Sequence, residues 1–352
     1  MRPVRMICNS SFSRSAVESG EGPATSAVMF TVGFVGNFIT LVLLERRRRK
    51  NRNNIPLFQV LVTGLVITDL MGSCLINPMI LTSYATNKTL MSMGENHMVC
   101  HTFAFLMAFF GLVTMFILFA MALERCLAIG LPYFYKRHIT KRRGSVTLPV
   151  VYSFSIIFCS LPFMGIGKYV QYYPGTWCFI RMKYGHGKGD PDHGVAFALL
   201  YASLIVFIII SILICNSVVM VHLIRMHQRQ KLHRILNRGL RVSVHISVAE
   251  EVDHLILLML MTITFVICSA PFTVRAYKEI FAPDENCKAD LEALRFFAFN
   301  SIVDPWVFTI LRPSVLRVIR LILCCQISLK SKTSQTGMHT SNNEKTTVLT
   351  NL

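Results

Sequence analysis

Charged residues are scarce in this chain of 352 residues: Asp, Glu, Lys and Arg together make up 15%, against about 25% in typical soluble domains. Hydrophobic residues make up 53%. This composition excludes an intrinsically disordered chain, because disordered chains combine low hydrophobicity with high net charge. It also argues against an ordinary soluble enzyme.

Acidic residues are few as well, with 18 Asp and Glu against 36 Lys and Arg and a formal net charge of +18. In a soluble protein such an excess favours a nucleic-acid partner. Here no basic run is interleaved with aromatic residues on a soluble face, as nucleic-acid-binding surfaces are. We therefore expect no nucleic-acid partner.

Long apolar stretches, by contrast, are abundant. A helix needs about 20 apolar residues to cross a bilayer core, and seven stretches are long enough. They cover residues 24–44, 57–84, 99–129, 146–166, 195–223, 254–281 and 291–311. Each contains Gly, Ser, Thr or Pro, which let helices approach closely or kink. The sequence predicts an all-α fold, an integral membrane bundle of seven helices.

Basic residues cluster in alternate loops, at 46–50, 136–143 and 225–241. The positive-inside rule places these loops and the C-terminal tail in the cytoplasm and the N-terminus outside. The glycosylation sequons at Asn9 and Asn87 then both fall outside. We expect a multi-pass protein of the plasma membrane that contacts membrane lipids.

Four segments follow from this topology: an extracellular tail (1–23), the membrane domain (24–311), a short amphipathic helix on the inner membrane surface (312–325) and a disordered cytoplasmic tail (326–352). Cys324 and Cys325 end the amphipathic segment and are candidates for palmitoylation, with two unmodified thiols as the alternative.

Five of the 11 cysteines lie inside apolar spans, where a thiol is a small hydrophobic group: Cys74, Cys126, Cys159, Cys215 and Cys268. Cys100, at the outer end of span three, and Cys178, in the loop between spans four and five, face an oxidising compartment and could form a disulfide that ties this loop over the mouth of the bundle. Cys8 and Cys287 also lie outside and could pair.

Ionisable residues within spans are functional candidates, because each costs roughly 2.5 to 3.5 kcal/mol to insert. They are Asp69 in span two, Glu124 and Arg125 at the end of span three, Arg275 in span six, and Arg295 and Asp304 in span seven. An interfacial ion pair is the alternative reading of Glu124 and Arg125.

A set of short strings is distributed over the spans: Gly36-Asn37, Thr68-Asp69-Leu70, Glu124-Arg125-Cys126, Cys268-Ser269-Ala270-Pro271 and Asp304-Pro305-Trp306-Val307-Phe308. With seven spans, this set resembles the rhodopsin-like G-protein-coupled receptors over nearly the whole chain. Four features depart from that family: Cys126 and Phe308 replace Tyr, Ser269 replaces the toggle Trp, and span four lacks its usual Trp.

Further strings narrow the resemblance: Gly175-Thr176-Trp177-Cys178-Phe179 in an outer loop and Leu294-Arg295-Phe296 in span seven. With the departures above, they are similar to the prostanoid receptors. Within that group the chain most resembles the relaxant prostaglandin E receptor subtype, through Glu250-Glu251, Met261-Thr262-Ile263-Thr264-Phe265 and Cys324-Cys325-Gln326. The prostaglandin D receptor is a close second, through Arg137-His138-Ile139-Thr140 and Arg275.

This resemblance implies a lipid carboxylate ligand, which needs one cation, a few donors and a largely apolar wall. Arg295 would bind the carboxylate, unless it extends to the outer interface instead. The resemblance adds Tyr84 and Thr176 as carboxylate contacts, Trp177 as the roof, and Met29 and Ser26 as lining residues. Tyr84 could equally be an interfacial aromatic residue, and Met29 a packing residue.

The resemblance also implies a heterotrimeric G-protein partner of the stimulatory class and a rise in cyclic AMP through adenylate cyclase. Arg125 would meet the G protein beside Glu124, and Asp69 and Asp304 would share a polar cluster in the middle of the bundle. Close relatives have Ser where this chain has Ala298, so ligand preference is open; prostaglandin D and prostacyclin are the alternatives.

Two other classes of membrane protein are alternatives: an enzyme and a transporter. A membrane-embedded enzyme should carry a motif such as H-E-x-x-H, and the sequence has none, so we expect neither catalysis nor a cofactor or metal. A multi-pass transporter should carry paired broken helices and a midplane ion site, which Asp69 and Asp304 could form.

Overall fold

The computed structural model describes residues 15–18, 22–50, 56–138, 141–182, 193–236, 243–281 and 286–310. The helices in these ranges are α1 (Ala24–Lys50), α2 (Leu57–Thr86), α3 (Met98–Gly130), α4 (Pro132–His138), α5 (Lys141–Ser160), α6 (His193–Leu236), α7 (Ser243–Phe281) and α8 (Cys287–Ile310). Short 3₁₀ turns at Glu95–His97 and Leu161–Met164 precede α3 and follow α5. Asn9, Cys8, the predicted amphipathic helix with Cys324 and Cys325, and the predicted tail lie outside the described residues.

The seven-helix membrane bundle predicted from the sequence is confirmed. Within the described ranges, six helices are long and apolar enough to cross a membrane: α1, α2, α3, α5, α6 and α7. The predicted seventh span coincides with α8, which is more polar because it contains Asp290, Glu292, Arg295 and Asp304.

The helices α6 and α7 extend well beyond the predicted spans 195–223 and 254–281. Hydropathy marks only the residues that cross the bilayer, whereas backbone hydrogen bonds continue a helix into water. The fourth predicted span, 146–166, is helical only to Ser160 and closes in the 3₁₀ turn, where Pro162 interrupts the hydrogen-bond ladder.

The long helix α3 lies at the centre of the bundle and packs against α2, α5 and α6. Buried polar side chains join the helices around it. The Tyr201 hydroxyl of α6 donates to the carbonyl oxygen of Ala108 on α3 at 2.9 Å. The Asn216 amide of α6 donates to Thr262 of α7 at 2.8 Å. In lipid such bonds contribute to helix association, because an unpaired polar group has no water to bind.

A two-stranded antiparallel hairpin covers one end of the bundle, which we call the hairpin end. Strand β1 (Tyr169–Tyr172) pairs with β2 (Trp177–Ile180), and all eight strand residues are buried. The turn contains Gly175 at φ +104°, and a Cβ there would come within 2.6 Å of Thr89 Cγ2. Only glycine fits this turn without strain.

Sequence reasoning treated the hairpin segment as a loop. Two short runs of β-branched and aromatic residues flank a Pro-Gly turn, and this pattern is typical of a β-hairpin. The predicted disulfide is present: Cys178 of β2 is bonded to Cys100 of α3, with a Cα–Cα distance of 5.5 Å. It holds the hairpin over the bundle, as expected from the sequence.

Candidate functional site

A cavity lies between the helices below the hairpin. Its walls are largely apolar, with Met107, Met115 and Phe265 among the lining residues, and its floor carries polar side chains such as Thr114 and Asn300. A mainly apolar space with a few polar groups is typical of a small-molecule site.

Two of the six predicted ligand contacts line this cavity. Trp177 of β2 closes it at the hairpin end, and its ring packs edge-on against Phe103 at a centroid distance of 6.1 Å. Met29 of α1 lines the wall. Trp177 is 2% exposed.

Two further predicted contacts, Ser26 and Thr176, lie directly above those lining residues. Ser26 is three residues before Met29 on α1, so the two share a helix face and Ser26 is about 4.5 Å nearer the hairpin end. Thr176 is the neighbour of Trp177 in the hairpin turn. Both side chains are buried.

The last two predicted contacts, Tyr84 and Arg295, are also placed above lining residues. Tyr84 follows Asn77 by seven residues on α2, and Arg295 precedes Ala298 by three residues on α8. Asn77 and Ala298 both line the cavity. Helix periodicity puts each pair on one face, so Tyr84 and Arg295 belong to a tier above the cavity, with Ser26 and Thr176. We call these four residues the upper tier.

Several polar atoms around this tier have no hydrogen-bond partner among the described residues: Ser26 Oγ, Tyr84 Oη, Thr176 Oγ1 and Trp177 Nε1. Buried polar groups are normally paired, and each unpaired one costs about 1–3 kcal/mol. Their gathering above one cavity is the arrangement that a ligand with several oxygen atoms would satisfy.

Arg275 of α7 also lies at the hairpin end. It is buried and is bonded to two carboxylates. Its Nε and Nη2 donate to Asp290 Oδ1 at 2.8 and 2.6 Å, and Nη2 also donates to Glu279 Oε1 at 2.6 Å. Sequence reasoning missed both partners. The spacing of four residues between Arg275 and Glu279 on one helix could have revealed the first, whereas the pairing with Asp290 joins two helices.

The polar floor contains the two predicted acids. Thr114 Oγ1 of α3 donates to Asp69 Oδ1 at 2.9 Å, and Asp304 lies close enough to Asp69 for their charges to interact. Each acid is 1% exposed. Asp69 Oδ2 and both carboxylate oxygens of Asp304 have no hydrogen-bond partner in the described part of the chain. The structure therefore brings these two acids together as expected.

At the opposite end of the bundle, Glu124 and Arg125 form an ion pair, with Arg125 Nε 2.7 Å from Glu124 Oε2. The Tyr135 hydroxyl of α4 donates to Glu124 Oε1 at 2.7 Å. The Arg125 guanidinium also lies 4.5 Å from the centre of the Phe58 ring. Tyr135 was not foreseen, since no sequence pattern connects α4 to the end of α3.

The remaining predicted positions are at the hairpin end. Asn87 is exposed at the C-terminal cap of α2, in a left-handed conformation with φ 52°. Cys287 at the start of α8 is disulfide-bonded, and its candidate partner Cys8 lies outside the described residues.

The bundle, the central polar pair and the ion pair at the end of α3 define a class of membrane receptor. Residues 36–308 match the family described as 7 transmembrane receptor (rhodopsin family). Squid rhodopsin matches with a TM-score of 0.69 over 90% of this chain and 84% of that one, at 16% sequence identity, which shows a common fold.

Individual receptors of this family that are similar in sequence show to which group within it the chain belongs. The prostaglandin E2 receptor EP2 subtype of Canis lupus familiaris is 52% identical over 91% of this chain and 90% of that relative. The EP2 subtype of Homo sapiens is 50% identical over 91% and 90%. The prostacyclin receptor of Rattus norvegicus is 44% identical over 88% and 72%. The chain belongs to the prostanoid receptors of the rhodopsin family.

Proposed function

We propose that this receptor binds prostaglandin E2 in the cavity and upper tier and activates adenylate cyclase through the stimulatory G protein. The observation that carries the ligand assignment is identity of 49% or more to four prostaglandin E2 receptors of the EP2 subtype. The prostacyclin receptors are less similar, at 44% or below among those compared.

The site suits a prostaglandin, which has one carboxylate, oxygen substituents on a ring and two flexible apolar chains. Arg295 binds the carboxylate, because a guanidinium can make two parallel hydrogen bonds to it. Arg275 is a poorer candidate, since two protein carboxylates already bind it. The hydroxyls of Tyr84 and Thr176 supply further donors, and the apolar walls below receive a chain.

Ring selectivity is set near Ala298, which lines the cavity one turn below Arg295. An alanine offers the ring oxygens no hydrogen bond, whereas the Ser of close relatives does. Because this chain lacks that serine hydroxyl, prostaglandin D and prostacyclin are the ligands that compete with prostaglandin E2 in this proposal.

The hairpin end faces the extracellular side. Three features support this orientation. The Cys100–Cys178 disulfide needs an oxidising compartment, the sequon residue Asn87 is exposed beside it, and the basic run 46–50 ends α1 on the other side. An Asn87→Gln variant should lose the mobility shift that a glycosidase produces at this site; an unchanged shift would assign the glycan elsewhere.

The cytoplasmic end carries the coupling machinery. In the structure Arg125 is held by Glu124, and Glu124 by Tyr135. We expect the ligand to favour a second packing of the helices in which Arg125 leaves this pair and contacts the G protein. Asp69, on the floor of the cavity, and its neighbour Asp304 transmit the change toward this end.

The test is cyclic AMP accumulation in cells that express the chain, titrated in parallel with prostaglandin E2, prostaglandin D2 and a stable prostacyclin analogue. The proposal expects a rise at the lowest concentration with prostaglandin E2. A preference for either other ligand would retain the receptor and reassign the ring selectivity. Silence with all three, in cells with verified surface expression, would overturn the coupling.

A further inference from the structure

A buried ionic cluster joins the hairpin ends of α7 and α8. Arg275 of α7 bonds Asp290 of α8 through two nitrogen atoms and Glu279 of its own helix through one. The three side chains are 7%, 3% and 1% exposed, respectively. Breaking a buried ion pair leaves an uncompensated charge and is strongly unfavourable, so the cluster holds the two helices in one register.

An aromatic contact joins the same two helices further down. The rings of Phe272 on α7 and Phe297 on α8 have centroids 5.4 Å apart. Phe179 of β2 packs against both, at 5.2 and 5.6 Å. Phe297 follows Asp290 by seven residues, so the two contacts lie on one face of α8, about 10 Å apart along its axis.

Arg295 lies between these two contacts, five residues after Asp290 and two before Phe297. Two fixed points on one face prevent α8 from rotating about its axis. They therefore fix the direction in which the Arg295 side chain leaves the helix. The start of α8 is held as well, because Asn286 Oδ1 accepts a hydrogen bond from the Ala289 backbone N–H at 3.2 Å.

We infer that Asp290 and Arg275 are positioning residues for ligand binding: their ion pair sets the rotation of α8 that presents the Arg295 guanidinium to the carboxylate of the ligand. This inference rests on the proposed role of Arg295. It gives Arg275 a part in binding without ligand contact.

The test compares two probes, the prostaglandin E2 anion and its uncharged methyl ester, on membranes from cells expressing the full chain. The variant is Asp290→Asn, which keeps the shape of the side chain and removes its charge. We expect affinity for the acid to fall about tenfold, the lower end of the loss that follows when a metal ligand loses its outer hydrogen-bond partner. Affinity for the ester should not change.

The sign of this effect separates positioning from simple electrostatics. Removing a negative charge near the pocket should by itself attract an anionic ligand, so a loss of acid affinity requires a displaced Arg295. The matched control is Glu292→Gln, which removes an acidic charge from the exposed face of the same helix. It should leave the affinity for both probes unchanged.

A double-mutant cycle completes the test. In an Arg295→Ala background, Asp290→Asn should have no further effect on the acid, because two residues that act as one unit are not additive. Additive losses, equal losses for acid and ester, or unchanged acid affinity in Asp290→Asn would each overturn the inference. Full acid affinity in Arg295→Ala alone would instead refute the proposed carboxylate site.

If Asp290→Asn does not reach the cell surface, Arg275→Lys is measured with the same two probes. Lysine keeps the positive charge but cannot reproduce the planar fork that bonds two carboxylates. The same selective loss of acid affinity is expected, and its absence would contradict the positioning role.

Discussion

Replacement of Arg295 by alanine is the most direct perturbation of the proposed binding site. The side chain is half-buried on α8, one turn above the cavity residue Ala298. Truncation removes the cation and leaves the helix intact, because alanine has the highest helix propensity. We expect the variant to reach the surface at the normal level and to lose affinity for the acid ligand.

The size of the loss follows from the environment of Arg295. Truncating one partner of a buried, hydrogen-bonded charge pair costs about 2–5 kcal/mol or more. Because Arg295 is half-buried, we expect the lower part of this range, about 2–3 kcal/mol. That corresponds to an increase in Kd of about 30- to 150-fold.

The assay is competition binding with prostaglandin E2 and its methyl ester. Arg295→Lys should give an intermediate loss, since an ammonium group binds a carboxylate as a point charge. Lys288→Ala, which removes a cation from the exposed face of α8, should leave both affinities unchanged. Full acid affinity in Arg295→Ala, or an equal loss for acid and ester, would refute the carboxylate assignment.

Two further predictions concern the hairpin turn and the cytoplasmic ion pair. Gly175→Ala should lower the melting temperature of the purified receptor more than Gly165→Ala does, since both positions have positive φ but only the first lacks space for a Cβ; the strain alone costs about 1–2 kcal/mol. Equal shifts would mean that the close contact is relieved. Tyr135→Phe removes the hydroxyl bonded to Glu124, a loss of about 1 kcal/mol from the resting packing, and should raise basal cyclic AMP. Tyr133→Phe, on the exposed face of the same short helix, should not, and equal basal activity in both variants would contradict this role of Tyr135.

The helical spans were predictable because the bilayer imposes their length and composition. The bounds of α1 to α3 agree with the apolar stretches at nearly every terminus, and α8 covers the predicted seventh span. The predictions differ from the structure where the membrane does not dictate the pattern, as in the extensions of α6 and α7, the short helix α4 and the hairpin. These segments are determined by local hydrogen bonding and by packing on the bundle.

The candidate site was predictable one residue at a time, but its arrangement was not. Resemblance selected Trp177 and Met29, which line the cavity, and Ser26, Tyr84, Thr176 and Arg295, which the structure places above it. The unpaired hydroxyl groups of this tier and the unpaired indole N–H of Trp177 became visible only when burial was known. A sequence shows that a polar atom exists, whereas its partners depend on neighbouring helices.

The sequence by itself determined the class of molecule: an all-α membrane bundle, a cysteine pair in its outer part, and two arginines in its sixth and seventh spans. The resemblance to the prostanoid receptors selects Arg295 as the cation for the ligand, and only the tertiary structure shows what Arg275 binds. Arg275 meets Asp290 because α7 and α8 pack with these residues face to face, and that packing leaves Arg275 bound by protein carboxylates. Helix rotation and crossing, which no local pattern encodes, therefore decide that Arg275 joins two helices.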